Sequence, residues 1–300
     1  MKIAYHHIFA HPLPEGHRFP MVKYELIPAQ LLREGIITAD QLFEPEPVAE
    51  ETILRTHTAG YWQKLRDQTL SVKEVRHIGL PQSPDLTLRE MVITQGTIDI
   101  ALHALEHGLA FNVAGGTHHA FADHGEGFCL LNDFGVAANH LLHQGKVKQV
   151  LIVDLDVHQG NGSAALFNNN SQVFTFSMHG AHNYPFHKET SDLDIPLPDG
   201  ITDGPYLQLL ESALPGLINR VKPDMVCYLS GVDILETDRY GKLRITPAGV
   251  LQRDEIVFST LHRHGIPCAV AMGGGYSTRI RDIVNAHCNT FKTGISIYGY

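Results

Sequence analysis

Basic runs are missing from this sequence, and so are paired cysteines and long apolar stretches. Lys and Arg total 23 against 32 Asp and Glu, for a formal charge of −9, and the cations are dispersed. A protein that grips nucleic acid through its phosphates needs them clustered, so sequence-independent nucleic-acid binding is not expected. The acidic excess suits cationic, lysine-bearing substrates instead. Only four cysteines occur, Cys129, Cys227, Cys268 and Cys288, scattered and without C-x-x-C spacing. That argues against a disulfide framework and predicts a reducing, cytoplasmic setting. No apolar stretch reaches the length of a membrane span, and Met1–His7 lack the apolar core of a secretory leader.

What the chain does have is histidine, 20 in 300 residues. Histidine is the commonest metal ligand and titrates near neutrality, but its abundance carries little weight without pairing and spacing. The length suits one large α/β domain or two ordinary ones, with enough apolar residues for a core that needs no disulfides. There is no internal repeat or long linker. Short β-rich runs alternate with helical patterns, which predicts a mainly parallel sheet covered on both faces. The predicted strands are Lys2–His6, Ala110–Ala114, Val150–Asp156, Val173–Met178, Met225–Ser230 and Cys268–Met272, with Ile295–Tyr298 as a further one. Apolar spacing predicts helices over Leu88–His107, Phe134–His143, Tyr206–Val221, Ala248–His264 and Arg279–Thr290. Pro45 and Pro47 mark a loop, and Gly79–Pro84 another.

The motifs that carry chemistry follow the C-terminal ends of these strands, where open α/β sheets place their ligands. The run Val150–Asp156 leads straight into Val157-His158-Gln159-Gly160-Asn161-Gly162. Residues two apart share a strand face, so Asp154, Asp156 and His158 can point to one side while the chain stays extended. Neighbouring carboxylates at the end of an apolar strand are costly without a counter-charge, and a divalent cation removes that cost. Asp and His ligands together suit zinc; ferrous iron would accept the same set. A solvated strand-end turn would also use Asp and Asn-Gly. Ser230-Gly231-Val232-Asp233 ends another strand and offers Asp233 as a third ligand. Three protein ligands leave a position open, the pattern of a catalytic metal that acidifies a water and polarises an amide carbonyl.

Two further strand ends supply partners for that chemistry. Gly115-Gly116-Thr117-His118-His119 follows Ala110–Ala114. If Asp154 turns toward His118, it orients that ring and favours its cation, whereas Asn161 could bond His119 without adding charge. His119 is therefore expected to be the general base and His118 the electrostatic or acid partner. Met272-Gly273-Gly274-Gly275-Tyr276 lets the backbone approach a ligand closely, and a protonated Tyr276 could donate to a developing oxyanion. A phosphate loop is the other reading of these glycines, but Gly-Lys-Ser/Thr is absent.

GGTHHA at Gly115–Ala120, GFCLLND at Gly127–Asp133, DLDVHQGNG at Asp154–Gly162, SGVD at Ser230–Asp233 and GGGY at Gly273–Tyr276 occur in one order, and in this the chain resembles the histone deacetylase family over nearly its whole length. The resemblance implies a single arginase/deacetylase α/β domain over residues 1–300. It implies zinc, one per chain, on Asp156, His158 and Asp233, with His118, His119 and Tyr276 catalytic. It also implies a substrate tunnel lined by Gly127 and Phe128, with Tyr184 as facing wall and Gly274 beside it. A potassium ion is implied at Asp154, Ser177 and the main-chain oxygens of Asp156 and His158, and Arg18 is implied to line an acetate exit. Gln159, Asn161 and Thr117 depart from the commoner family wording. HQGNG resembles the class IV branch and its bacterial relatives, which implies tolerance of longer acyl chains. The loop Gly79–Pro84 lacks the family's acidic rim.

The expected reaction is hydrolysis of an acyl-lysine amide in a peptide or protein. Hydrolysis of a small acylated amine such as an acetylpolyamine is the alternative. A two-manganese ureohydrolase would need further carboxylates where Gly160, Asn161, Ile234 and Leu235 stand. A non-catalytic acyl-lysine reader would be expected to have lost a ligand or the tyrosine.

Overall fold

Runs such as Val150–Asp154 and Met225–Leu229 are apolar nearly throughout because both faces of the sheet they form are covered. The computed structural model describes all 300 residues. In chain order its elements are β1 (Ile3–Ala4), α1 (Lys23–Arg33), β2 (Leu42–Phe43), α2 (Glu50–Ile53), α3 (Ala59–Arg66), α4 (Val72–Ile78), α5 (Pro84–His107), β3 (Leu109–Asn112) and α6 (Asp133–His143). Then follow β4 (Val150–Asp154), α7 (Asn161–Phe167), β5 (Val173–Gly180), β6 (Leu193–Leu197), α8 (Asp203–Val221), β7 (Met225–Leu229), α9 (Pro247–Arg263), β8 (Cys268–Ala271) and α10 (Ile280–Tyr298). Short 3-10 turns lie at His7–Phe9 and Ala39–Gln41.

The eight strands form one sheet in the order β2-β1-β3-β8-β7-β4-β5-β6, and every pairing is parallel. Alternate residues feed opposite faces. Leu151, Val153, Val226, Tyr228 and Val270 join one apolar cluster. Ile152, Cys227 and Ala269 join the other. The helices start where the sequence provides caps. Ser83 accepts from Leu86 N ahead of Pro84 in α5, and Thr246 accepts from Gly249 N ahead of Pro247 in α9. All four cysteines are free and buried. No helix is long and apolar enough to cross a membrane.

Several expectations need correction. Ile295–Tyr298 is not a strand but the last turn of α10, which runs on to Gly299, a left-handed cap at φ +75°. Its β-branched residues suggested a strand. Tertiary packing decides otherwise: Tyr298 stacks on His262, and Ile295 is buried. The edge strands β2 and β6 were not predicted, nor were α1, α2, α3, α4 and α7. The strand expected over Val150–Asp156 stops at Asp154, so Asp156 and His158 occupy a turn rather than one extended face.

Candidate active site

The four strands at the centre of the sheet, β3, β8, β7 and β4, are neighbours, and the loop after each carries one of the motifs. The loop after β3 is fixed by Asp133 at the start of α6. Its carboxylate accepts from Gly116 N at 3.0 Å, Thr117 N at 2.8 Å and Thr117 Oγ1 at 2.8 Å. Thr117 therefore anchors the loop that presents His118 and His119. Asn132 reaches the far side of the same loop, donating to Ala120 O at 3.1 Å.

Asp156, His158 and Asp233 converge: one potential ligand atom from each lies within 4.8 Å of the other two. His158 Nδ1 is 2.9 Å from Asp156 Oδ1 and 3.2 Å from Asp233 Oδ2. All three side chains are buried or nearly so. Asp233 Oδ1 accepts from Val157 N at 3.0 Å, whereas Asp233 Oδ2 is buried without a hydrogen-bond partner. Burial, then the charge of Asp156, pushes Asp233 up to about 7. Burial disfavours the His158 imidazolium, but its bond to Asp156, the Asp233 carboxylate 3.2 Å away and the charges of both outweigh that and raise it to about 10. Burial likewise opposes ionisation of Asp156, yet its bond to His158 and the nearby His118 hold it well below the usual carboxylate range. A proton on His158 thus stands where a cation would sit. An orphaned carboxylate oxygen beside a second carboxylate and an imidazole nitrogen fits a divalent metal of zinc's preferences.

The paired histidines take the partners expected of them. His118 Nδ1 is 2.7 Å from Asp154 Oδ2, and His119 Nδ1 is 2.6 Å from Asn161 Oδ1. Burial lowers both rings, but for His118 the charge and hydrogen bond of Asp154 win and its pKa rises. His119 has no such carboxylate; burial and the charges of His118 and His158 drive it well below its ordinary value. The two rings are thus driven apart, the charged form being favoured on His118 and disfavoured on His119.

Tyr276 stands across the cavity, its ring centroid 6.5 Å from that of His158. Burial and then the charges of Asp233 and Asp156 push its hydroxyl pKa far up, so it keeps its proton. Its backbone is held at both ends: Tyr276 N donates to Asp238 Oδ2 at 2.6 Å, and its carbonyl accepts from Arg239 Nε at 3.0 Å. Gly274, at φ +60°, lies so close that a Cβ there would overlap the Asp233 carboxylate. Gly127 has φ +56°, and a Cβ there would come 2.6 Å from His119 Cδ2. Only glycine lets this wall approach the histidines.

Gly127, Phe128, Tyr184, Gly274 and Tyr276 all line one cavity of about 930 Å³ with the metal-type cluster and both histidines. Tyr184 packs edge-on against His119, ring centroids 5.1 Å apart. Ser177 pairs with Asp154 across β4 and β5, and its hydroxyl lies 2.9 Å from His179 Nδ1. Arg18 lines the same cavity. It is exposed, with its guanidinium 5.6 Å from the Phe128 ring centroid and 5.7 Å from that of Tyr240. Two buried cations also line the cavity, Lys23 of α1 and Arg89, and Lys23 donates to Gly274 O at 2.5 Å. Sequence reasoning missed Lys23, Asp133 and Glu126. Asp133 sits inside a quoted motif, but nothing in its spacing shows that it reaches back to Gly116.

Residues 17–291 match the family described as the histone deacetylase domain. An uncharacterized protein of Picosynechococcus sp. is 43% identical over 296 residues, covering 99% of this chain and 99% of that protein. Histone deacetylase 2 of Arabidopsis thaliana is 29% identical over 289 residues, 93% of this chain and 75% of that protein. The crystal structure of an HDAC homolog complexed with SAHA matches with a TM-score of 0.85 at 24% identity, over 100% of this chain and 84% of that one. The structural likeness carries the fold.

Proposed function

The chain belongs to the histone deacetylase family, and from that premise we propose that residues 1–300 form one catalytic domain that hydrolyses the amide of an acylated lysine in a peptide or protein. The observation that carries the reading is the convergence of Asp156, His158 and Asp233 on one point of a cavity that also holds His118, His119 and Tyr276.

In this reading Asp156, His158 and Asp233 hold a zinc ion. Bound there, zinc would supply a Lewis acid that polarises the acyl carbonyl and lowers the pKa of a water. The protein's own groups do the rest. His119, neutral and with Nδ1 engaged by Asn161, has its Nε2 lone pair free to take a proton from that water. His118, charged beside Asp154, stabilises negative charge and can donate toward the leaving amine. Tyr276 keeps its proton and donates to the carbonyl oxygen as charge develops there. Gly127, Phe128, Tyr184 and Gly274 enclose the alkyl chain and exclude water. Asp154, Ser177 and the main-chain oxygens of Asp156 and His158 are the group proposed for a potassium ion, and Asp154 and Ser177 are already register partners. Four buried free thiols fit a reducing cytoplasmic compartment.

A peptide substrate is favoured over a free acylated polyamine by the cavity's charges. Arg18, Arg76 and Lys242 line it and are exposed, against one exposed carboxylate, Glu189. The ammonium groups of a polyamine would meet like charge there. Turnover of one lysine peptide bearing a series of acyl chains should exceed that of acetylated polyamines by kcat/KM; the reverse order would displace lysine as the substrate.

Zinc uptake should be linked to protons. The metal needs neutral His158, which in the metal-free protein is raised to about 10. At pH 8, loading should therefore release at least about one proton per chain, read by calorimetry in buffers of different ionisation heats. Zinc binding with no proton release would mean that His158 is not a ligand.

A further inference from the structure

Asn161 is a weak partner for a general base, because an amide carries no charge and has two nearly isosteric orientations. With its oxygen toward His119, it accepts a hydrogen from Nδ1 and leaves Nε2 bare. With its NH2 toward His119, it needs a bare Nδ1, which moves the ring hydrogen to Nε2 and removes the lone pair the chemistry needs. Something must choose between the two. Asn161 Nδ2 donates to Glu126 Oε1 at 2.5 Å. An ionised carboxylate only accepts, so the NH2 of Asn161 must face it and the amide oxygen must face His119.

Glu126 is well placed to hold this arrangement. It directly precedes Gly127 and Phe128 in the cavity wall, and the loop is tied down on both sides. Cys129 N donates to Glu126 O at 2.9 Å, and Gly127 N donates to His77 O at 3.0 Å. Tyr184 lines the same cavity as Glu126, and burial, then the Glu126 charge, pushes its hydroxyl up. Asn161 and His119 are buried, with 3% and 4% of their surfaces exposed, so water does not compete freely for the amide. The two histidines are therefore served differently. His118 has its carboxylate directly, at 2.7 Å from Asp154. His119 has one at a remove, through an amide.

We propose that Glu126 is a positioning residue that, through Asn161, fixes the Nδ1–H tautomer of His119 and so keeps Nε2 bare toward the reacting water. This rests on the reading of His119 as the base, but the tautomer itself is measurable without turnover.

The test uses zinc-loaded protein with 15N-labelled histidine. In the wild type the His119 ring should show a protonated Nδ1 and a bare Nε2. In Glu126→Ala the Nε2–H form should become populated, and kcat should fall about 10-fold to 100-fold, the usual loss for an orienting partner, with KM changing much less. Glu126→Gln, which keeps the side chain's shape, should give a partial shift and carries the test if the alanine variant does not fold. In the Glu126→Ala background, Asn161→Asp should restore the Nδ1–H tautomer of the neutral His119 ring, because a carboxylate can only accept. An unchanged His119 tautomer in both Glu126 variants overturns the proposal, whatever happens to turnover. A wild type with the expected tautomer and no acyl-lysine hydrolysis would instead sink the functional reading and leave the role of Glu126 in orienting the ring standing.

Discussion

Replacing Asp233 with alanine should strip the metal and abolish turnover while leaving the protein folded. Asp233 is the one member of the cluster that comes from the end of β7, and without it only Asp156 and His158 remain on the loop after β4. Two ligands do not hold a catalytic zinc against exchange with water. The fold should survive because Asp233 is a burden to the metal-free protein. Burial and the neighbouring Asp156 push its carboxyl up to about 7, and one of its oxygens has no hydrogen-bond partner. The bond from Val157 N is the main thing lost, a cost of about 1–3 kcal/mol for a buried donor. Metal content by elemental analysis and melting temperature on the same sample check the prediction. Zinc retained at one per chain would show that another residue completes the site.

Replacing Tyr276 with phenylalanine should lower kcat by about 10²–10³, the usual loss for one donor to a developing oxyanion, with zinc content unchanged. The substitution removes only a hydroxyl. The ring would keep its contacts with Tyr240, 5.2 Å away between centroids, and with Phe19 at 6.0 Å. The backbone bonds to Asp238 and Arg239 do not involve the side chain. Because the hydroxyl stays protonated across the working pH range, the loss should be nearly uniform with pH. Turnover equal to the wild type would remove Tyr276 from the chemistry and leave it as part of the wall.

Much of this site could be read from residue order alone. An apolar run entering Asp-x-Asp-x-His, a Gly-Gly before paired histidines and a Gly-Gly-Gly-Tyr after a strand are local patterns, and local patterns survive without coordinates. The partners of His118 and His119 followed from the same logic, since Asp154 and Asn161 offer a charged and an uncharged acceptor within one motif. The rest depends on long-range packing. Lys23 stands in no motif, and only the docking of α1 brings its ammonium to Gly274 O. Nor do the sequence neighbours of Arg18 reveal that its guanidinium lies against Phe128 and Tyr240. The edge strand β2 is only two residues long, too short to show a pattern, and β6 is interrupted by Asp194 and contains Pro196, which edge positions tolerate. Ile295–Tyr298 shows how β-branched composition misleads when a helix has a face to bury.

The neighbouring strands β4 and β7 supply every candidate ligand, although Val157 and Asp233 are 76 positions apart in the chain. An ion held by Asp156, His158 and Asp233 is therefore a clasp across the middle seam of the sheet. Any fluctuation that parts this seam must also let the ion go, so the loaded protein should open its innermost strands less often than the metal-free one, by the free energy of binding.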